Sequence, residues 1–371
     1  MSSALFSPVT LGSLSLANRI VASPMCQYSC VDGVPGAWHQ MHLGNLAASG
    51  AGLVILEATG ISPGGRITPY CLGLWNDQQE KALGAILEGV RSYSNTPFAM
   101  QISHAGRKAS SAAPWHGGQL LSLSEGGWAT QAPSALPQKD GETPPHALTL
   151  DELAQIRADF VATARRAVRI GVQAIELHAA HGYLLHQFLS PIANQRTDAY
   201  GGSLVNRMRF VLEVFDAVRE ALPASVPLGI RISATDWVEG GWDLEGTLEL
   251  SAHLRERACD WIDVSSGGVS PLQKIALGPG YQLPFAQAVR ESSGLPVIGV
   301  GLITTPAQAE AAIRDGQADL VALARALLWD PRWPWRAAVE LGAEVQAPSQ
   351  YWRSQPHGVA SVFAGMRQGQ R

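Results

Sequence analysis

The run "IELHAAHGYLLHQFLSP" at residues 175–191 begins as a buried apolar stretch and ends in two histidines three apart, with a tyrosine two further on. Packing gains nothing from His178, His181 and Tyr183, because polar groups withdrawn from water need partners. At a strand end the same side chains become donors: imidazole N–H and phenol O–H groups can grip an oxygen and move a proton. Histidines three apart can also share zinc, but such a site needs a third ligand and orienting carboxylates. His186 and Glu176 are the nearest candidates. Glu176 lies on the strand face of His178 but one layer deeper, so the pattern favours hydrogen-bond donation over metal binding.

The elements that must place these groups follow from periodicity. Short apolar runs at 19–25, 51–58, 97–103, 173–179, 227–233, 260–266, 296–301 and 319–325 are near-continuous in Val, Ile and Leu. Strands of a parallel sheet buried on both faces have this composition. Between them lie amphipathic helices. One opens with a capping box, Thr149 with Glu152, and carries Leu153, Ile156, Phe160, Ala164 and Val168 along one face. Another starts at Ser203 and aligns Val205, Met208, Leu212, Phe215 and Val218. Eight strand–helix units in succession predict an α/β fold, a (β/α)₈ TIM barrel, with residues 1–345 as one domain. The Gly/Pro-rich stretches 104–148 and 266–280 are expected to be long loops on its catalytic face. The tail, 346–371, is rich in Gln, Ser and Gly and is expected to be partly disordered.

In such barrels chemistry sits at the C-terminal strand ends. Those ends read Cys26, Glu57–Ala58–Thr59, Gln101, His178, Arg231, Ser265–Ser266, Gly301 and Arg325. Amide, imidazole and guanidinium groups converging on one mouth describe a pocket for a ligand with acceptors and an anion. The stretch "VGLITTPAQAEAAI" runs from a strand through Gly301 into a helix near Thr305, and with Arg325 it fits the phosphate site that barrels build after strands seven and eight. "GVGLIT" is not a dinucleotide fingerprint, since it lacks the third glycine and comes last in the fold.

Composition limits the partners. Apolar residues make up 46% and charged residues 16% of the 371, and the formal charge is −4. No nucleic acid or anionic membrane partner is implied. No run of about 18 apolar residues is present to span a membrane. The four cysteines are too scattered for a disulfide framework, and with no signal-peptide pattern the expected compartment is the cytoplasm.

Five motifs carry a resemblance: "SPMCQYS" (23–29), "HAGRKAS" (104–110), "HAAHGYLLHQFLSP" (178–191), "NQRTDAYGGSLVNR" (194–207) and "ADLVALARALLWDP" (318–331). Over roughly residues 4–353 the sequence resembles the old yellow enzymes, flavin-dependent ene-reductases, and specifically the bacterial YqjM-like and xenobiotic-reductase-like subgroup. The resemblance implies FMN across the barrel mouth, with its phosphate near Gly301, Ala324 and Arg325. Gln101 and Arg231 would face the pyrimidine edge, His178 would also contact the flavin, and Ser23, Pro24, Met25, Cys26 and Ala58 would line the ring. It further implies that NADPH or NADH reduces the flavin, that His178 and His181 hold the carbonyl oxygen of an α,β-unsaturated substrate above it, and that Tyr183 protonates the α-carbon. Cys26 would tune the flavin, and Tyr28 would border the substrate. Lys108 matches a lysine of the subgroup without an evident role. Arg353 would reach the active site of a neighbouring subunit in a homodimer or homotetramer, with Trp352 as the competing side chain. Asn194, Arg196, Asp198 and Tyr200 are expected to be structural.

The alternatives are weaker. An iron–sulfur relative of the dienoyl-CoA reductase type needs clustered cysteines, and none follows Cys259. A metal hydrolase or Schiff-base barrel needs a metal cluster or a strand-end lysine. A non-catalytic flavin-binding redox sensor with Cys26 as its responsive thiol would leave His178, His181 and Tyr183 without a purpose.

Overall fold

The computed structural model describes residues 2–359 and 361–366. Eight parallel strands close into a barrel in sequence order: β1 (Ile20–Ala22), β2 (Leu53–Gly60), β3 (Phe98–Ser103), β4 (Ala174–Ala179), β5 (Leu228–Ser233), β6 (Trp261–Ser265), β7 (Val297–Gly299) and β8 (Leu320–Leu323). Every residue of these strands is buried, which is why the runs carry no apolar–polar alternation. Four strands stop short of the apolar runs that predict them: residues 23–25, 266, 300–301 and 324–325 leave the sheet at the mouth.

Among the described residues ten α-helices wrap the barrel: α1 (Ala37–Ala47), α2 (Asp77–Arg91), α3 (Leu150–Arg169), α4 (Leu184–Leu189), α5 (Leu204–Ala221), α6 (Leu244–Glu256), α7 (Leu283–Ser293), α8 (Pro306–Arg314), α9 (Arg325–Trp329) and α10 (Trp333–Leu341). The Thr149–Glu152 capping box and the Ser203 cap both form. On α3 the buried face is Leu153, Ile156, Phe160, Thr163, Ala164 and Ala167, with Val168 only partly covered. On α5, Val205 departs from expectation and is 60% exposed, because it sits in the first turn, before the helix reaches the barrel wall. An antiparallel hairpin, Val9–Leu11 with Leu14–Leu16, packs Leu11 and Leu16 against Trp261, Ile298 and Leu320, plugging the end opposite the site.

The expected break at residue 345 is not a physical boundary. Val345 N–H donates to Val362 O (2.8 Å) and Ala364 N–H to Val345 O (3.0 Å). Val362 and Phe363 bury themselves with Ala338 of α10. The tail therefore has structure where disorder was expected, because its few apolar residues find a groove beside α10; residues 360 and 367–371 lie outside the described residues. Among the described residues, no helix is long and apolar enough to cross a membrane.

Candidate active site

Strand β4 ends in the chemistry that its sequence announces. His178 is buried, and its ring meets those of His181 and Tyr183 edge-on, with centroids 5.1 Å and 4.9 Å away. Ala180 N–H donates to His178 Nδ1 (3.3 Å), so the neutral ring carries its proton on Nε2. His181 Nε2 pairs with Ser265 Oγ at 2.8 Å. Among the described residues the other nitrogens, His178 Nε2 and His181 Nδ1, bond no protein group. Burial, then the Arg231 and Lys108 charges, hold both imidazoles well below their ordinary pKa, so both are neutral near pH 7. Burial pushes the Tyr183 phenol well above its ordinary value, so it keeps its proton.

The turn that presents these rings is firmly held. His181 and Gly182 both adopt left-handed backbone, φ +58° and +75°. His181 N–H donates to Ser233 Oγ (2.9 Å), and Gly182 N–H to His186 Nδ1 (2.8 Å). His186 Nε2 lies 2.8 Å from Asp236 Oδ1, and both side chains are fully buried. Asp236 Oδ2 in turn accepts from Ser190 Oγ (2.6 Å) and Trp242 N (2.7 Å). His186 is thus a support for the turn and not a metal ligand; no metal-holding group of His, Cys, Asp or Glu exists among the described residues.

Gln101 and Arg231 stand on β3 and β5, and both are buried. Gln101 Nε2 donates to Glu176 Oε1 (2.8 Å). Arg231 Nη1 donates to Ser23 Oγ (3.3 Å), and its Nε lies 3.3 Å from Asp263 Oδ2. Glu176 also accepts from Trp261 Nε1 (3.2 Å). Burial, then the Asp263 charge, raises Glu176 to about 8, so it is a neutral acid beneath the site. Asp263 lies in the middle of "DWIDVSS", where a strand running through a barrel core has no use for a carboxylate. That signal was legible and its pairing with Arg231 was not.

Cys26 is half-exposed, and its thiol is held well above the usual range, first by hydrogen bonding with Cys71 and then by burial. A neutral thiol lacks the thiolate character of a reactive cysteine, which weakens the redox-sensor alternative. Replacing Cys26 with alanine is expected to change turnover by less than about tenfold, since a neutral hydrogen bond contributes roughly 1 kcal/mol; steady-state kinetics of the variant check this. Tyr28 sits at φ +49° with its ring edge-on to Trp115, centroids 5.6 Å apart. Glu57 and Ala58 fall where the register of β2 shifts, and Glu57 receives His39 Nε2 (3.0 Å) and Gln27 N–H (3.1 Å), fixing the segment after Cys26.

At the far side of the mouth Gly301 has φ +130°, and a Cβ there would come within 3.0 Å of Gln282 Nε2 and 3.2 Å of Tyr281. Only bare backbone fits. The helix N-terminus at Thr305 is closed by its own capping box with Gln308, which takes the N–H groups of Thr304 and Thr305. An anion would therefore be held nearer Gly301 and the Ala324–Arg325 turn than at the start of α8. The bare backbone at Gly301, the charge of Arg325 and the amide and guanidinium of Gln101 and Arg231 together fit FMN.

Asn194, Arg196, Asp198 and Tyr200 are structural, as expected. Asn194 Nδ2 donates to Phe188 O and Tyr200 O, both at 2.8 Å, and Arg196 pairs with Asp198 while donating to Pro133 O and Leu148 O. In the tail, Trp352 Nε1 donates to Ala347 O (3.1 Å) and packs on the Val345–Phe363 cluster, whereas Arg353 is exposed.

A parallel barrel with an amide, a guanidinium and paired imidazoles around its mouth defines an oxidoreductase scaffold for an aromatic, phosphate-bearing cofactor. Comparison with known proteins agrees. Residues 4–344 match the model of the NADH:flavin oxidoreductase / NADH oxidase family. An NADPH dehydrogenase of Geobacillus thermodenitrificans is 43% identical over 355 residues, covering 95% of this chain and 99% of that protein. An NADH:flavin oxidoreductase of Gibberella zeae is 42% identical, covering 94% and 88%. Morphinone reductase superposes with a TM-score of 0.76 at 34% identity, covering 93% and 91% of the two chains. The chain belongs to the NADH:flavin oxidoreductase family, the old yellow enzymes. It is a flavin-dependent redox enzyme that takes FMN as its cofactor and a nicotinamide as its reductant.

Proposed function

We propose that the protein is an ene-reductase that reduces the C=C bond of α,β-unsaturated carbonyl compounds, and by the same polarisation activated nitro compounds, at the expense of NADPH or NADH. The carrying observation is that His178 and His181 are neutral and each keeps one ring nitrogen unbonded at the mouth. His178 donates from Nε2. His181 donates from Nδ1 in the tautomer in which Ser265 turns its hydroxyl proton to Nε2 instead of to Gln282 Oε1. Two N–H groups on one carbonyl oxygen draw density from the β-carbon and hold the enolate charge as it forms. FMN, when bound, would supply the hydride chemistry, recharged by the nicotinamide. Tyr183 holds its proton at Oη until a carbon base as strong as an enolate takes it.

Segment 23–26 and Ala58 would line the ring, Gln101 and Arg231 would hold its pyrimidine edge, and Gly301, Ala324 and Arg325 would hold the phosphate. Tyr28 borders the substrate. Arg353, left exposed by the anchoring of Trp352, extends into the site of a neighbouring copy in a homodimer or homotetramer. The expected compartment is the cytoplasm.

The test is a visible spectrum of the purified yellow protein with and without p-hydroxybenzaldehyde. A long-wavelength charge-transfer band on addition supports the donor pair; its absence at saturating phenol sinks the reading. Tyr183→Phe is expected to slow the alkene half-reaction by about 10²-fold or more while flavin reduction by the nicotinamide keeps its rate. Stopped-flow measurement of each half-reaction separates the two.

A further inference from the structure

The turn at His181–Gly182 has a feature that hydrogen donation to substrate does not require. All four backbone polar groups of these two residues are bonded by side chains. Ser233 and His186 take the two N–H groups, Gln187 Nε2 donates to Gly182 O (2.8 Å), and Lys108 Nζ donates to His181 O (2.7 Å). Lys108 does more than the others. Its Nζ also donates to Gly268 O (2.9 Å), in the loop after β6. That loop lies against the turn: a Cβ on Gly182 would meet Gly268 O at 2.2 Å, and one on Gly268 would meet His181 Cα at 2.5 Å. Two carbonyl oxygens this close to one nitrogen repel each other unless a cation stands between them. The same ammonium lies 5.1 Å from the centre of the Tyr183 ring.

We propose that Lys108 is a positioning residue for the alkene half-reaction: its ammonium clamps the His181 and Gly268 carbonyls and so aims the His181 ring and the Tyr183 phenol. This rests on the donor and acid roles assigned above to those two side chains. A lysine spent on two carbonyls is not itself the proton donor, and it serves substrate geometry without touching the residues assigned to the flavin's pyrimidine edge.

Burial, then the Arg107 and Lys139 charges, lowers Lys108 to about 8. The titratable and charged groups that face it are those two cations together with His178, His181 and Tyr183. Its protonated form is therefore the working form below about pH 8. Above that the charge goes, and the carbonyl bonds lose their charge assistance.

The test uses the flavin-loaded enzyme and its two half-reactions by stopped flow, from pH 6 to pH 9.5. In the wild type the alkene step falls as pH rises through about 8, while reduction by NADPH does not. Lys108→Met lowers the alkene step roughly ten- to hundredfold at pH 7 and removes that fall. Lys108→Arg keeps a charge that does not titrate in this range, so its alkene step stays level from pH 7 to pH 9.5. A fall near pH 8 that persists in the arginine variant overturns the proposal, as does a Lys108→Met enzyme with an unchanged alkene step. Equal losses in both half-reactions of Lys108→Met also overturn it. Failure of the donor reading shows elsewhere, as full alkene turnover without the histidine pair.

Discussion

Replacing His178 and His181 together by alanine is expected to lower kcat/KM for a cyclic enone by about 10³-fold or more. One well-placed oxyanion donor contributes roughly 2.7–4 kcal/mol to the barrier, and two donors on one oxygen act as a unit, so their losses do not simply add. The variant should stay yellow, since the flavin's assigned holders are Gln101, Arg231, Gly301 and Arg325. It should also lose the charge-transfer band with p-hydroxybenzaldehyde. His181 is half-buried, and the buried His178 ring meets those of His181 and Tyr183 edge-on; retained flavin and an unchanged melting temperature distinguish a lost donor from a lost fold. A double variant that keeps full enone turnover removes the donor role.

Arg231→Leu is the second large effect, and it acts on stability as well as on the flavin. In the wild type the Arg231 guanidinium lies 3.3 Å from the fully buried Asp263 carboxylate. Removing one member of a buried ion pair costs about 3–5 kcal/mol, because the other is left charged and unpaired. The sign with pH follows from Asp263. Burial raises its pKa, and Arg231 is what opposes that rise. Without the guanidinium the folded-state pKa climbs further above the unfolded value. The folded variant then binds a proton that the unfolded chain has released, so stability is greatest below the unfolded carboxylate range and is lost as pH rises. Urea denaturation at pH 5 and pH 8.5 is expected to show a much smaller deficit at the lower pH. The flavin's potential should fall too, since the cation proposed to stand beside its pyrimidine edge is gone. A pH-independent deficit would mean that Asp263 is not the group left behind.

The supporting shell was the least legible part of the molecule. "HAAHGYLLHQFLSP" gives away its donors by type and spacing, because imidazole and phenol at the end of a buried run have no packing purpose. The eight apolar runs and the caps at Thr149 and Ser203 give the barrel in the same way, since burial on both faces and helix starts are local demands. Other features depend on distant parts of the chain. Asp263 meets Arg231 only because β5 and β6 are neighbours in register. Asp236 reaches His186 from the loop after β5, and Lys108 reaches His181 and Gly268 from the loop after β3. The tail misled for the same reason. Val362 and Phe363 look isolated in a polar stretch, and only the groove beside α10 makes them core.

The sequence by itself determined the barrel's strands and the polar set His178, His181 and Tyr183 at the end of one of them, because each is dictated by a residue's own chemistry and its nearest neighbours. The tertiary structure alone decided which nitrogen of each histidine is unbonded, which carboxylates sit beneath the flavin's holders and what fixes the left-handed turn between His181 and Gly182. His178 and Gly182 find partners within five residues, at Ala180, His186 and Gln187. But His181 meets Ser265 84 residues on and Lys108 reaches Gly268 160 residues on, and closure of the sheet is what brings those within hydrogen-bonding distance.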